Sequence, residues 1–378
     1  MKVAIVTNVV PSYRLAFYQR LCQQPEHDFV LFCQDRLPGF NLALVHDRVP
    51  CKVERLAAWG SEHGVVWQRL PVMRLWRDFD VLVFYGNPRL LSTVLWATLF
   101  RWLGKPVIIW GQGHTAGAPP WTEGLRLRWW RQFDTILVYT DREAEALQRS
   151  VLAGRQVIGL NNGLDQDRIE QAIARWPVRR LTAWQQARGL EGRPVLLSCA
   201  RLVEKNRFDL VPPLLARLRS RYPDLRWCVI GDGPAREALA GLVRAHQVED
   251  LVVWVGALYD EEALAPWFLS ARLLIHPGAI GLTLLHAFGY GLPVVTHGDL
   301  AQQMPEIAAL EPGVNGLVFT PGDVASLAEA VRSLLDDPGR SRRMGQAAQE
   351  VVRTRFNVDV MVARFLQALA QTARQGQG

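Results

Sequence analysis

Cysteine is scarce in this 378-residue chain, and the five present (Cys22, Cys33, Cys51, Cys199 and Cys228) form no Cys-x-x-Cys pair. A zinc ribbon and a dense disulfide framework are thereby excluded, and thiols set in apolar runs are expected to be buried in a reducing compartment. Long apolar runs are missing too. The longest, Leu90 to Phe100, is bracketed by Arg89 and Arg101 and reaches about half the length a bilayer span requires. The apolar start Val3–Val6 is too short for a secretory leader and reads as a strand. No short-period repeat or low-complexity tract occurs, apart from a polar tail, Gln371–Gly378, that is expected to fray. These gaps together suggest a cytoplasmic protein whose membrane contact, if any, is peripheral on the inner face.

The composition is that of an ordinary globular protein, 49% apolar and 21% charged. A chain this long is expected to fold as two domains of roughly 150–200 residues. Its net charge of +7 is one-sided: residues 1–180 hold 23 Lys/Arg against 16 Asp/Glu, and residues 181–378 hold 20 of each. No nucleic-acid motif accompanies the basic half, so a nucleic-acid partner is not expected. An anionic membrane surface or a phosphorylated acceptor suits one-sided charge better.

Short apolar runs alternate with amphipathic stretches. Val3–Thr7, Phe29–Cys33, Val81–Tyr85, Val107–Trp110 and Thr135–Tyr139 read as strands; Tyr13–Gln23, Leu91–Leu103, Trp121–Arg131 and Arg142–Val151 read as helices. After a polar, arginine-rich stretch from Gln166 to Gly192 the alternation restarts. Strands are expected at Val195–Cys199, Arg226–Gly231, Leu251–Val255, Leu273–His276, Val294–Thr296 and Leu317–Phe319. The expected architecture is therefore α/β, with two doubly wound Rossmann-like domains facing a central cleft. Boundaries are set at residues 1–180 and 181–357, with a last helix over 358–378.

Pro277-Gly278-Ala-Ile-Gly281-Leu282-Thr283-Leu-Leu-His286-Ala-Phe-Gly-Tyr-Gly291-Leu-Pro293 follows an expected strand. Glycines let backbone amides approach an anion, and a helix starting there points its positive end at the same place. Cys199-Ala-Arg201-Leu-Val-Glu-Lys205 follows another strand, so two cations four residues apart can cover one diphosphate. Val229-Ile-Gly231-Asp-Gly-Pro234 and Val255-Gly256-Ala-Leu258 read as strand-ending turns.

These blocks resemble the donor-binding half of retaining glycosyltransferases of family 4, which have the GT-B fold. The resemblance implies a sugar transferred from a nucleoside-diphosphate sugar to a carbohydrate, glycolipid or other hydroxyl acceptor, in bacterial polysaccharide or glycolipid assembly. It implies that Arg201 and Lys205 neutralise the leaving diphosphate, with no metal and no cofactor. Gly231, Gly256, Leu258, Gly278, Gly281, Leu282, Thr283 and His286 would contact the donor, and the last helix would cross back to the first domain.

Two positions depart from the family pattern, which carries glutamates eight residues apart where this chain has Gly278 and His286. A neutral histidine accepts one hydrogen bond where a carboxylate accepts several; the alternative is a packed histidine in an inactive homologue. Gln303-Met-Pro-Glu306 lies downstream, and Glu306 is a candidate for the missing carboxylate. A variant group of the family with histidine in the cradle shows the same arrangement.

In the first half, Asn8, Tyr13 and Arg14 fall in a strand-to-helix loop, where the resemblance places the acceptor. His114, flanked by glycine, is expected to reach the transferred sugar. Asn161-Asn-Gly163-Leu-Asp165 reads as a turn with a helix-capping aspartate. The aromatic-basic segments Trp67–Trp76 and Arg126–Arg131 suit a lipid headgroup interface or the ordinary packing of helices on a sheet. A sugar-nucleotide epimerase of the same fold and a binding-only homologue remain the rival readings.

Overall fold

The computed structural model describes residues 1–35, 45–60, 64–114 and 120–375. Two compact units divide the chain: Met1–Gly163 together with Asn357–Gly378, and Leu164–Phe356. The boundary falls at 163/164 rather than at 180/181. The arginine-rich stretch expected to join the domains instead forms two helices of the second unit; Ile169 and Ala172 of this stretch enter its core, and Trp176 and Trp184 pack against it.

The first unit holds strands β1 (Lys2–Val6), β2 (Asp28–Cys33), β3 (Lys52–Arg55), β4 (Ala58–Gly60), β5 (Val66–Gln68), β6 (Val81–Tyr85), β7 (Val107–Trp110), β8 (Thr135–Val138) and β9 (Gln156–Gly159). Seven make a parallel sheet in the order β3-β2-β1-β6-β7-β8-β9, and β4 and β5 form an antiparallel pair. Central strands such as Val81–Tyr85 are apolar throughout because helices cover both faces. Edge strands β3 and β9 carry polar residues and escaped the sequence reading. Its helices are α1 (Leu15–Cys22), α2 (Val72–Asp78), α3 (Leu91–Trp102), α4 (Pro120–Trp130) and α5 (Asp141–Gln148).

The second unit adds α6 (Gln166–Ala174) and α7 (Val178–Gln186). Strands β10 (Val195–Cys199), β11 (Arg226–Ile230), β12 (Val252–Gly256), β13 (Leu273–His276), β14 (Val294–His297) and β15 (Gly316–Phe319) follow. They form a parallel sheet in the order β12-β11-β10-β13-β14-β15. Helices α8 (Val211–Leu218), α9 (Arg236–Ala245), α10 (Glu261–Ser270), α11 (Leu282–Gly289), α12 (Val324–Asp336) and α13 (Pro338–Thr354) cover it. The final helix, α14 (Val358–Gln375), packs on the first unit: Phe365 stacks edge-on against Phe17 of α1 and near Trp110 of β7. The segment 371–375, expected to fray, is its last turn; 376–378 lie outside the described residues.

Both units are doubly wound, and the strand order reverses between β1 and β6 in one and between β10 and β13 in the other. Loops at the carboxyl ends of such strands are where ligands bind in open α/β sheets. Cys22 and Cys51 correct the expectation of five free thiols, being joined as a disulfide with Cα atoms 5.4 Å apart. Cys33, Cys199 and Cys228 are free, and burial pushes each thiol up to about 12.

Candidate functional site

Three loops of the second unit meet through their backbones. After β10, Ala200 to Leu202 lies so close to the loop after β11 that a Cβ on Gly231 would stand 1.9 Å from the Ala200 carbonyl oxygen. Gly231 also takes φ +140°, a region that favours glycine. Its amide donates to the Gly256 carbonyl at 2.8 Å, which joins the β12 end to the same cluster. After β13, Gly278 packs on the Arg201–Lys205 loop: a Cβ there would meet the Lys205 carbonyl at 2.1 Å and the Asn206 main chain at 2.6 Å. Gly278 is therefore a contact glycine, which explains why no side chain occupies the position where the resembled family has a glutamate.

That contact sets two cations beside the glycine turn. Asn206 Nδ2 donates to the Arg201 carbonyl at 2.8 Å and fixes the loop from within. The Arg201 and Lys205 side chains are exposed, and neither has a partner among the described residues. Thr283, in the first turn of α11, donates to the Cys199 carbonyl at 3.1 Å and ties that helix to the end of β10. Gly281 is the α11 N-cap, and no acceptor among the described residues faces the amides of Gly281, Leu282 and Thr283. Free helix-start amides and two unpartnered cations form a strongly electropositive anion site.

Gln303 holds the turn in shape. Its Oε1 accepts from the Ile280 amide at 2.8 Å, while its Nε2 donates to Thr296 Oγ1 and to the His297 carbonyl, both at 3.0 Å. Glu306 is buried, with Oε2 3.7 Å from where a Cβ on Gly281 would sit, so its carboxylate borders the turn. His276, at the end of β13, is buried deeply enough to push its imidazole down to about 4, so it is neutral at pH 7. Leu258 is partly buried against the core beyond β12.

His286 faces away from the family's usual arrangement in one respect: it has a carboxylate partner that the sequence did not reveal. Glu261, the first residue of α10, accepts from His286 Nε2 at 2.7 Å and from Tyr290 Oη at 2.7 Å. Burial, the largest influence, pushes the Glu261 carboxyl upward. The hydrogen bonds from His286 and Tyr290 and the nearby Arg168 outweigh it, holding the group below the usual range. With Nε2 committed to Glu261, Nδ1 is the ring nitrogen left for a ligand, and it has no partner among the described residues. Phe268 packs edge-on to the ring at 4.5 Å and limits its rotation. Glu261 is 25 residues from His286 in sequence, so only the α10–α11 packing could show the pair.

In the first unit the expected residues part company. Asn8 Oδ1 accepts from the Val9 amide at 2.8 Å, and Tyr13 is exposed. Arg14 is only 8% exposed: its guanidinium donates to Asn162 Oδ1 at 2.9 Å and lies over the Tyr13, Trp110 and Tyr139 rings. Its charge is satisfied within the unit by these partners. His114 is half-exposed, with Nδ1 2.9 Å from Glu123 Oε2. Its loop hangs on Glu143, whose carboxylate accepts from the Gly113 amide at 2.5 Å and the amides of His114 and Tyr139 at 3.1 and 3.0 Å. Burial pushes the Glu143 carboxyl up despite those three bonds. Asp165 sits at the N-cap of α6 without the expected capping hydrogen bond.

Known proteins bear on this geometry in two ways. Residues 182–351 match the family model described as glycosyl transferases group 1. The chain is 24% identical over 265 residues to alpha-D-kanosaminyltransferase of Streptomyces kanamyceticus, covering 69% of this chain and 63% of that protein. It is 32% identical over 207 residues to glycogen synthase of Mycobacterium tuberculosis, covering 53% and 45%. The chain thus spans less than two thirds of the length of either relative. The solved structure of Anabaena HepE in complex with UDP superposes with a TM-score of 0.71 at 16% identity, over 98% of this chain and 100% of that one. Residues 182–351, which carry the electropositive turn, match the glycosyl transferases group 1 model, within a chain of GT-B fold.

Proposed function

We propose that the chain is a retaining glycosyltransferase that moves a hexose from a nucleoside diphosphate to an acceptor hydroxyl. The observation that carries this reading is the pair of unpartnered cations, Arg201 and Lys205, held against the Gly278 turn at the carboxyl ends of β10 and β13. As the bond from the sugar's anomeric carbon to the diphosphate oxygen breaks, negative charge grows on the diphosphate. Arg201, Lys205 and the amides of Gly281, Leu282 and Thr283 stabilise it, supplying the countercharge a divalent ion supplies elsewhere. The acceptor oxygen bonds the anomeric carbon on the same face, and its proton passes to the departing diphosphate. No protein base is required.

His286 stands in for the family's ribose-binding carboxylate, with Glu261 holding the ring through Nε2 so that Nδ1 is left to hydrogen-bond a ribose hydroxyl. Glu306, bordering Gly281, contributes a carboxylate toward the donor sugar. Gly231, Gly256 and Leu258 meet the base through the main chain. In the first unit, Asn8 and Tyr13 are the polar groups assigned to hydroxyls of the acceptor, and His114 is assigned to the transferred sugar. Bacterial polysaccharide or glycolipid assembly on the cytoplasmic side is the setting this chemistry suits.

The test is a panel of sugar nucleotides, UDP-glucose first because HepE was crystallised with UDP. Slow donor hydrolysis and transfer with retained anomeric configuration are expected for one donor. Gly278, which offers only backbone where the family has a carboxylate, favours a second reading in which nucleotide sugar is bound but not turned over. Donor binding without hydrolysis or transfer to any acceptor would establish that reading instead.

A further inference from the structure

Helices α3 and α4 of the first unit run along a groove of about 480 Å³ that opens to solvent. Leu95, Leu99 and Trp102 wall it from α3, and Leu125 and Trp129 from α4. The Trp129 indole donates to Thr98 Oγ1 at 3.1 Å, so the two helices are fixed together beneath it. Leu95, Trp102 and Leu125 are exposed, as are Leu103 at the end of α3 and Trp121 at the start of α4. On α3, residues 91, 95 and 102 follow helical spacing along one stripe; on α4, residues 121, 125 and 128 do the same. Contiguous exposed leucine and tryptophan on a monomer's surface mark an interaction site.

Charge selects the partner. Arg128 lines the groove and Arg131 follows it, both exposed, and neither pairs with an acid among the described residues. The whole unit has 21 Lys/Arg against 14 Asp/Glu. Tryptophan and leucine bordered by unpaired arginine match the boundary between acyl chains and anionic headgroups, where aromatic rings sit at headgroup depth and guanidinium groups meet phosphate. No described helix is long and apolar enough to cross a membrane.

We propose that the α3–α4 face docks the protein on an anionic lipid surface, with Leu95, Trp102 and Leu125 entering the headgroup boundary and Arg128 and Arg131 meeting lipid phosphates. This surface lies on α3 and α4 and uses no residue assigned to the donor.

The experiment is sedimentation of the full chain with phosphatidylcholine vesicles, with and without phosphatidylglycerol, over a range of salt. Binding is expected only to the anionic vesicles and is expected to weaken as salt rises. Leu95→Ser/Trp102→Ser/Leu125→Ser and, separately, Arg128→Glu/Arg131→Glu should each reduce partitioning by roughly tenfold or more, with circular dichroism unchanged. The charge pair decides the outcome if the apolar triple variant loses its fold. Equal binding to both vesicle types, no binding, or binding indifferent to the charge pair overturns the proposal. So does a concentration-dependent dimer that the apolar variant dissociates, since the face would then belong to a second copy. Vesicle binding needs no donor, so its failure leaves the sugar-nucleotide reading standing.

Discussion

The unit formed by residues 1–163 and 357–378 carries 21 basic residues against 14 acidic ones, whereas Leu164–Phe356 carries 22 of each. Tryptophan is divided in the same sense. Of nine in the first unit, Trp59, Trp67, Trp76, Trp102 and Trp121 are exposed; none of the five in the second is. Two units with the same doubly wound plan have thus placed their charge differently. The second is neutral overall yet concentrates an electropositive site at two loops, because Arg201 and Lys205 lack partners there while other arginines, such as Arg219 with Asp250, are paired. The first spreads excess charge beside exposed aromatic surface. Net charge alone points to the first unit; local pairing picks out the loops after β10 and β13.

The sharpest way to break the second unit alone is Gly278→Ala. The new methyl would collide with the Lys205 and Asn206 main chain, and a loss of roughly 4 kcal/mol or more is expected, with nucleotide binding abolished. Hydrogen exchange should accelerate over β10–β15 and leave β1–β9 protected; uniform acceleration would mean the units do not respond separately. Trp130→Ala is the mirror experiment. Its ring is fully buried, fills the space that a Cβ on Gly86 or Gly111 would need, and donates to the Gly86 carbonyl at 3.1 Å. Truncation should cost about 3–5 kcal/mol, confined to the first unit, with nucleotide affinity unchanged.

Acid should separate the units without a mutation. Burial holds the His276 imidazole at about 4, against an ordinary value of 6.5. Between those values the unfolded chain binds a proton that the folded chain does not, so stability falls as pH drops from 6.5 to 4. The slope integrates to roughly 3 kcal/mol. Hydrogen exchange at β13 should track it, and His276→Asn should flatten the profile by that amount. A smaller effect is expected of Glu261→Gln, which keeps an acceptor for His286 but removes the charge. Donor KM should rise about tenfold with kcat unchanged, the signature of lost uniform binding. A fall in kcat at constant KM would assign Glu261 a different role.

Much of the fold was legible because central strands of parallel sheets are continuous apolar runs. All six strands of the second unit and the five central ones of the first were readable. Lys52–Arg55 and Gln156–Gly159 were not, since an edge strand needs no apolar face toward a neighbour on its open side. The candidate site could be proposed from sequence where a motif is local: Gly278 to Thr283 and Arg201 to Lys205 each lie within a few residues. Glu261 and Glu143 were missed because their partners come from other elements. The packing of Arg14 was hidden for a related reason, since a basic residue in a ligand-side loop looks the same in sequence whether or not three rings enclose it. Trp129 and Trp130, read as equally suited to a membrane or a core, are buried; the exposed aromatic surface lies instead at Trp102 and Trp121.

Calorimetric titration of UDP and UDP-glucose into the wild-type chain and into Arg201→Ala/Lys205→Ala tests the central claim most directly. Both side chains are exposed and unpartnered, so the double variant should keep the wild-type melting temperature. It should lose roughly 3–6 kcal/mol of nucleotide affinity, from two charge-assisted contacts of about 1.5–3 kcal/mol each. Equal affinity in the two proteins, with the fold intact in both, would contradict the assignment of the diphosphate to the turn between β13 and α11.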